Sequence, residues 1–200
     1  MRKRSKTFFR VVLVAAIGLV PWNVNATDRR VESGSVAFLK QETRVNLEYD
    51  YSDLKAGRKP KECLPDQEFI AQQVARENEK HAGRGESWRQ EWIGQRTVRF
   101  QPKFQEVLNK QLAEVKLPLE FGSFKDAKYT LILKTETILT GSTCITADAE
   151  FVETSNRANT VAVVKLVDMP GRNAWAGSDM GEAYAKAGKE LGILIRDKIK

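Results

Sequence analysis

Histidine and cysteine are scarce in this chain of 200 residues: one His, His81, and two Cys, Cys63 and Cys144. Nucleophilic hydrolases commonly pair a serine or cysteine with a histidine base, so a single imidazole leaves room for one such site at most. His81 stands in Glu79-Lys-His-Ala-Gly-Arg-Gly85, a helix-end and loop context, with no nucleophile elbow or HExxH pattern around it. Cys63, His81 and Cys144 share no metal-ligand spacing. The acidic residues are spread singly, and the glycines at 83 and 85 lack the lysine and strand context of a phosphate cradle. No catalytic, metal-binding or cofactor-binding residue is therefore assigned. Linkers, low-complexity tracts and internal repeats are also missing.

Long apolar runs are absent as well. The longest, Val11–Val20, follows a first segment with Arg2, Lys3, Arg4, Lys6 and Arg10 and no acid, and leads into Val24-Asn-Ala26. A span of the bilayer core needs roughly 20 apolar residues. A basic start, a short apolar centre and small residues before a cut read as a secretory signal peptide over 1–26. No cysteine lies near the cut, so export without a lipid anchor is expected.

An excess of one charge is lacking once that segment is set aside. The full chain counts 33 basic against 26 acidic residues, net +7. Removing the five basic residues before Thr27 leaves 28 against 26. A pI near 9.4 suggests nucleic acid or anionic lipid, but the targeting segment carries most of it. Nucleic acid is not expected as a partner. The remaining 27–200 fits one domain.

What is present is a change of hydrophobic period. Val36–Leu39 is a short apolar run, and Val45, Leu47, Tyr49 and Tyr51 alternate with polar residues; both read as strands. Lys55–Pro65 reads as a loop. Asp66 caps a helix carrying Phe69, Ile70 and Val74; Ser87, with Gln90 three residues on, opens a second. Pro102 starts a third through Phe104, Leu108 and Leu112, stopped by Pro118. Tyr129–Leu139, Cys144–Glu153 and Thr160–Asp168 then form an antiparallel meander. The fold class expected is α+β: a two-layer domain with about five mainly antiparallel strands against helices.

The closing stretch, Asp179 to Lys200, is a helix. Met180, Ala183, Tyr184, Ala187, Leu191, Leu194 and Ile195 share one arc, flanked by Gly181, Gly188 and Gly192, with Glu182, Lys186, Lys189, Glu190 and Asp197 opposite. Four acids against five bases, and no large apolar wedge, do not suit a membrane-surface helix. Three glycines cost about 0.8–1 kcal/mol each relative to alanine, which makes sense where the backbone must approach a sheet or another helix. The helix is expected to pack on the domain's own sheet.

A resemblance is carried by Ser35–Lys40, Asn46–Tyr51, Phe104–Asn109, Asp126–Leu131 and Glu182–Gly192. The chain resembles a family of uncharacterised exported proteins of Bacteroidetes-type bacteria. That family pattern places an aromatic just after the turn glycine, whereas Gly141 here leads into Ser142, Thr143 and Cys144. The resemblance implies an envelope location and an α+β domain, and no activity. The element order is also similar, more distantly, to envelope accessory domains of the TolB or curli-secretion type, a likeness of topology alone.

Candidate contact residues are aromatic. Trp88 and Trp92, one helical turn apart near Arg89 and Arg96, make either a ledge for sugar or peptide ligands or a pair of packed indoles. Trp175 stands in a glycine-flanked loop and is the more exposed candidate. Cys63 and Cys144 permit one disulfide. The expected function is a non-enzymatic exported envelope protein, a binding or accessory module in the periplasm or at the outer membrane. Its partner would be an envelope protein or small ligand. Two alternatives stay open: a small hydrolase using His81 with Cys144 or a serine, and a soluble carrier with an apolar pocket.

Overall fold

The computed structural model describes residues 28–171 and 176–199. The signal peptide expected over 1–26 and the contact candidate Trp175 lie outside the described residues. Among the described residues, eight strands form one sheet: β1 (Asp28–Gly34), β2 (Arg44–Asp50), β3 (Lys55–Gly57), β4 (Leu64–Pro65), β5 (Glu120–Gly122), β6 (Tyr129–Leu139), β7 (Cys144–Glu153) and β8 (Asn156–Pro170). Four α-helices accompany them among the described residues: α1 (Asp66–Lys80), α2 (Arg84–Gln95), α3 (Gln101–Ala113) and α4 (Ala176–Ile199). The main sheet order is β1-β8-β7-β6-β2-β5, with β3 beside the end of β6 and β4 beside β3.

The α+β class and the closing helix are as expected, and the sheet is larger and mixed. The meander β6-β7-β8 is antiparallel, but β2 lies beside β6 in parallel, with Leu47 opposite Leu131 and Tyr49 opposite Leu133. Four further strands, β1, β3, β4 and β5, arise where the sequence looks polar or irregular. β1 is an edge strand whose residues are all exposed or half-buried, so it alternates little, and β3, β4 and β5 are too short for a period to show. Conversely, Val36–Leu39 is not a strand. It winds as a 3-10 turn over Val36–Gln41, with the Ser35 hydroxyl accepting the Ala37 N–H at 3.2 Å. Three residues per turn put Val36 and Leu39 on one side, and both are buried.

Alternation on the central strands separates two faces. Leu131, Leu133, Ile145, Ala147, Ala149, Phe151, Val164 and Leu166 point inward and are fully buried. Outward, Lys165 bridges Glu136 and Asp148, and Lys134 pairs with Glu150. The inner face carries α3 and α4. Tyr184 of α4 is stacked on Phe100 with ring centres 4.9 Å apart, and its hydroxyl shares a 3.0 Å hydrogen bond with Thr135.

α4 buries the arc read from its sequence, but its glycines face a helix rather than the sheet. A Cβ on Gly188 would collide with the Phe104 carbonyl oxygen and lie 3.2 Å from Leu108 N, while Gly192 abuts Gln111. Small side chains let α3 and α4 approach closely, as ridge-and-groove packing requires. Glu190, placed on the polar arc, is in fact buried, held by Arg29 of β1 and by Lys186 at 2.6 Å.

α2 opens at Arg84, three residues before Ser87, and runs through a π-helical turn, Arg96–Phe100, into α3. The Ser87 capping box does not form, because Glu86 engages both Arg89 and Gln90 inside an existing helix. Asp66 begins α1, yet its carboxylate does not cap that helix. It serves a different purpose, described next.

Candidate functional site

α1 and α2 form a hairpin whose inner side is aromatic. Trp88 and Trp92 are four residues apart, which places them on one helical face. Their indoles are stacked, with ring centres 5.6 Å apart and planes 11° from parallel. Phe69 of α1 completes the cluster, 5.3 Å from Trp92 and 6.1 Å from Trp88. The hairpin closes tightly at Gly85, where a Cβ would meet the Val74 carbonyl oxygen at 2.5 Å; Gly85 N–H donates to Asn78 Oδ1 at 2.9 Å.

Asp66 fixes the indole. Trp92 Nε1 donates to its Oδ1 at 3.1 Å, and Arg96 donates to its Oδ2 at 2.7 Å. The Arg96 guanidinium in turn lies over the Tyr51 ring, 4.9 Å from its centre. This chain of contacts ties α2 to the first turn of α1 and to the end of β2. The tryptophans are neither a free ledge nor a sealed core. Each is half-buried, packed on one side and bordering open space on the other.

That space is a cleft of about 690 Å3, within the range of small-molecule sites. The helical hairpin lines it with the tryptophans and Phe69, and the turn after β3 with Arg58 and Lys59. Phe100 and Met180 reach it from the core side. The amides of Gln72, Gln73 and Gln95 and the charged ends of Arg76 and Glu91 supply polar lining. Lys59 is engaged with Glu62 at 3.6 Å. Among the described residues, neither Arg58 nor Arg76 has an acidic partner within ion-pair distance, and the Gln95 Oε1 is buried without a hydrogen bond.

The basic residues first read beside the tryptophans are not part of this lining. Arg89 folds back on Glu86, and Arg96 is spent on Asp66. Arg58 and Arg76 replace them, brought in by a turn and a helix distant in sequence. Only the one-turn spacing of the tryptophans and the alternation of aromatic and basic residues hinted at the site.

The remaining candidates lie elsewhere. His81 is exposed at the C-terminus of α1, and among the described residues its side chain bonds to no serine or cysteine. Cys63 and Cys144 are both free thiols, and burial pushes each above the ordinary thiol range. The Cys144 Sγ sits 3.3 Å from Ser142 Oγ, a pair with no base beside it among the described residues. No cluster of three metal-binding side chains occurs among the described residues. No described helix is long and apolar enough to cross a membrane.

Fold and cleft together define a two-layer α+β domain with an aromatic, amide-lined groove at the side of its helical layer. No protein-family model matches the chain. No curated protein matches it either. Among solved structures it is similar to the dodecamer of PelC from Paraburkholderia phytofirmans, at 12% identity over 84% of this chain and 98% of that one, with a TM-score of 0.38. A methionine-for-leucine variant of that PelC gives 12% identity over 82% and 99%, with a TM-score of 0.30. A likeness of that degree carries no argument about what this chain does.

Proposed function

We propose that the chain is a non-enzymatic binding module of the cell envelope, which holds its ligand in the cleft between α1, α2 and the turn after β3. The observation that carries this reading is the stacked, half-buried Trp88–Trp92 pair facing a 690 Å3 groove with open amides and guanidiniums. Shaped concavity with a few convergent polar groups is the usual form of a ligand site. The signal-like sequence over 1–26 supports a periplasmic or outer-membrane location, and kinship with the exported Bacteroidetes-type family belongs to the same proposal. The soluble-carrier alternative calls for an apolar pocket, and this groove is too rich in charge and amide for that. The hydrolase alternative calls for His81 beside a nucleophile, and its position at the end of α1 lends nothing to it.

The test compares capture from native envelope by the protein and by Trp88→Ala, read by mass spectrometry. The proposal expects at least one envelope component, glycan or protein, retained by the first and lost with the second. Identical profiles for the two would remove the cleft from the function.

A further inference from the structure

We propose that the cleft takes an acidic saccharide, a sugar bearing a carboxylate of the uronic-acid class; this rests on the binding-module reading above. Three features of the lining each match one part of such a ligand. The first is flat apolar surface. Pyranose rings have one face of C–H groups, and an aromatic ring that is packed behind and open in front is the complementary surface. Trp88 and Trp92 border the cleft in that manner, with Asp66 holding the Trp92 indole in place.

The second feature is hydroxyl chemistry. Gln72, Gln73 and Gln95 line the same groove, and an amide both donates and accepts, as a hydroxyl does. Gln95 is the clearest case, since its amide oxygen is shut away from water with no partner among the described residues. A buried acceptor without a donor is costly, and a hydroxyl entering the groove would relieve it after a small shift of the side chain. Glu91 adds an acceptor for further hydroxyl protons.

The third feature is charge. Arg58, from the turn after β3, and Arg76, from α1, both line the groove, and neither is neutralised by an acid of the described residues. Guanidinium groups recognise carboxylates through paired N–H donors. An acidic peptide would also satisfy the arginines and the amides, but it lacks the flat C–H face that the two indoles match. A neutral sugar would use the tryptophans and leave both arginines idle. The acidic sugar uses all three features at once.

The experiment titrates the purified protein with oligomers of galacturonate and of glucuronate, following indole emission and heat of binding. Controls are the fully methyl-esterified oligomers, which keep the backbone and lose the charge, and polyglutamate. At least one uronate oligomer should bind saturably, and its ester at least about tenfold more weakly, as the loss of a charge-assisted hydrogen bond implies. The double variant R58Q/R76Q should lose the same factor with an unchanged melting temperature, because both residues are exposed. Trp88→Ala should weaken binding in the calorimeter, with Trp92 left to report in the cleft by emission. Equal binding of acid and ester, tighter binding of polyglutamate, or no binding of either uronate oligomer would each overturn the proposal. If the uronates fail while capture from envelope still depends on Trp88, the ligand class is wrong and the binding module stands. If both fail, the cleft is not a ligand site.

Discussion

Asp66 is the residue on which the cleft depends most. It is a carboxylate with little solvent exposure at the first turn of α1, and it receives one hydrogen bond from an indole and one from a guanidinium, both from α2 and its π-helical extension. The charge is tolerated there because Arg96 neutralises it and Trp92 uses the second oxygen. Removing the carboxylate strands Arg96, whose Nε already lacks a hydrogen bond among the described residues. Asp66→Ala should therefore destabilise the protein by about 3 kcal/mol, the lower part of the range for breaking a mostly buried ion pair from one side. Asp66→Asn keeps an oxygen for Trp92 and loses only the charge, so it should fall between the two. Thermal melts of both variants, with indole emission as a second probe, measure this. A melting temperature within a degree of the parent for Asp66→Ala would show that the Asp66–Arg96–Trp92 contacts do not hold the hairpin.

At the scale of elements, α4 and α3 determine each other. The glycine positions of α4 are where the backbone of α3 comes closest, so Gly188 is a packing residue of the helix pair rather than of the helix–sheet layer. Gly188→Leu should destabilise by about 3 kcal/mol, the upper part of the range for overpacking, because the obstacle is backbone that cannot rotate away. An unchanged urea midpoint would return this face of α4 to solvent or to a partner. The sequence carried the α4 arc plainly, because seven apolar residues at helical spacing leave one solution. It did not reveal which neighbour the glycines meet, since helix-to-helix and helix-to-sheet contact demand the same small residues. The meander was equally legible: Tyr129–Leu139 and Cys144–Glu153 are strands with those same bounds. β3 and β4 were not, because strands of three and two residues contain no period, and only their neighbours in the sheet define them. The cleft fell between these cases. Trp88 and Trp92 were visible as a pair, whereas Arg58, Arg76 and Phe69 join them only through the way α1 folds back from β4. Ser87 and Gln90 misled for a local reason: a capping-box pattern inside a longer helix looks the same as one at its start.

For the whole molecule, the two faces of the sheet titrate in opposite directions. On the helical side, burial raises the phenols of Tyr49, Tyr51 and Tyr184 above the ordinary tyrosine range. Each is neutral in the folded state, so the stability it contributes is complete below the unfolded value of about 10 and is lost as pH rises above it. On the open side, Glu48 is lowered by Arg157 and Asp50 by the Ser52 N–H, so their contributions are present above the ordinary carboxylate values and fade as pH falls. Asp148 works against them. Burial raises its carboxyl despite Lys165, and its contribution therefore grows on acidification. Glu48 and Asp50 are also partly solvated, which weakens their share. The acid limb of the stability curve should accordingly be shallow and the alkaline limb steep. Melting temperature should be nearly flat from about pH 5 to 9 and fall sharply above about pH 10, where the unfolded phenols begin to ionise. Circular dichroism melts across that interval give the profile, and tyrosinate absorbance at low temperature gives the mechanism. In the folded protein at most one of the four tyrosines should ionise before unfolding begins. Two or more titrating near pH 10 while the ellipticity remains native would show that the inner face is open to solvent, against the burial of Tyr184 between α4, Phe100 and Thr135.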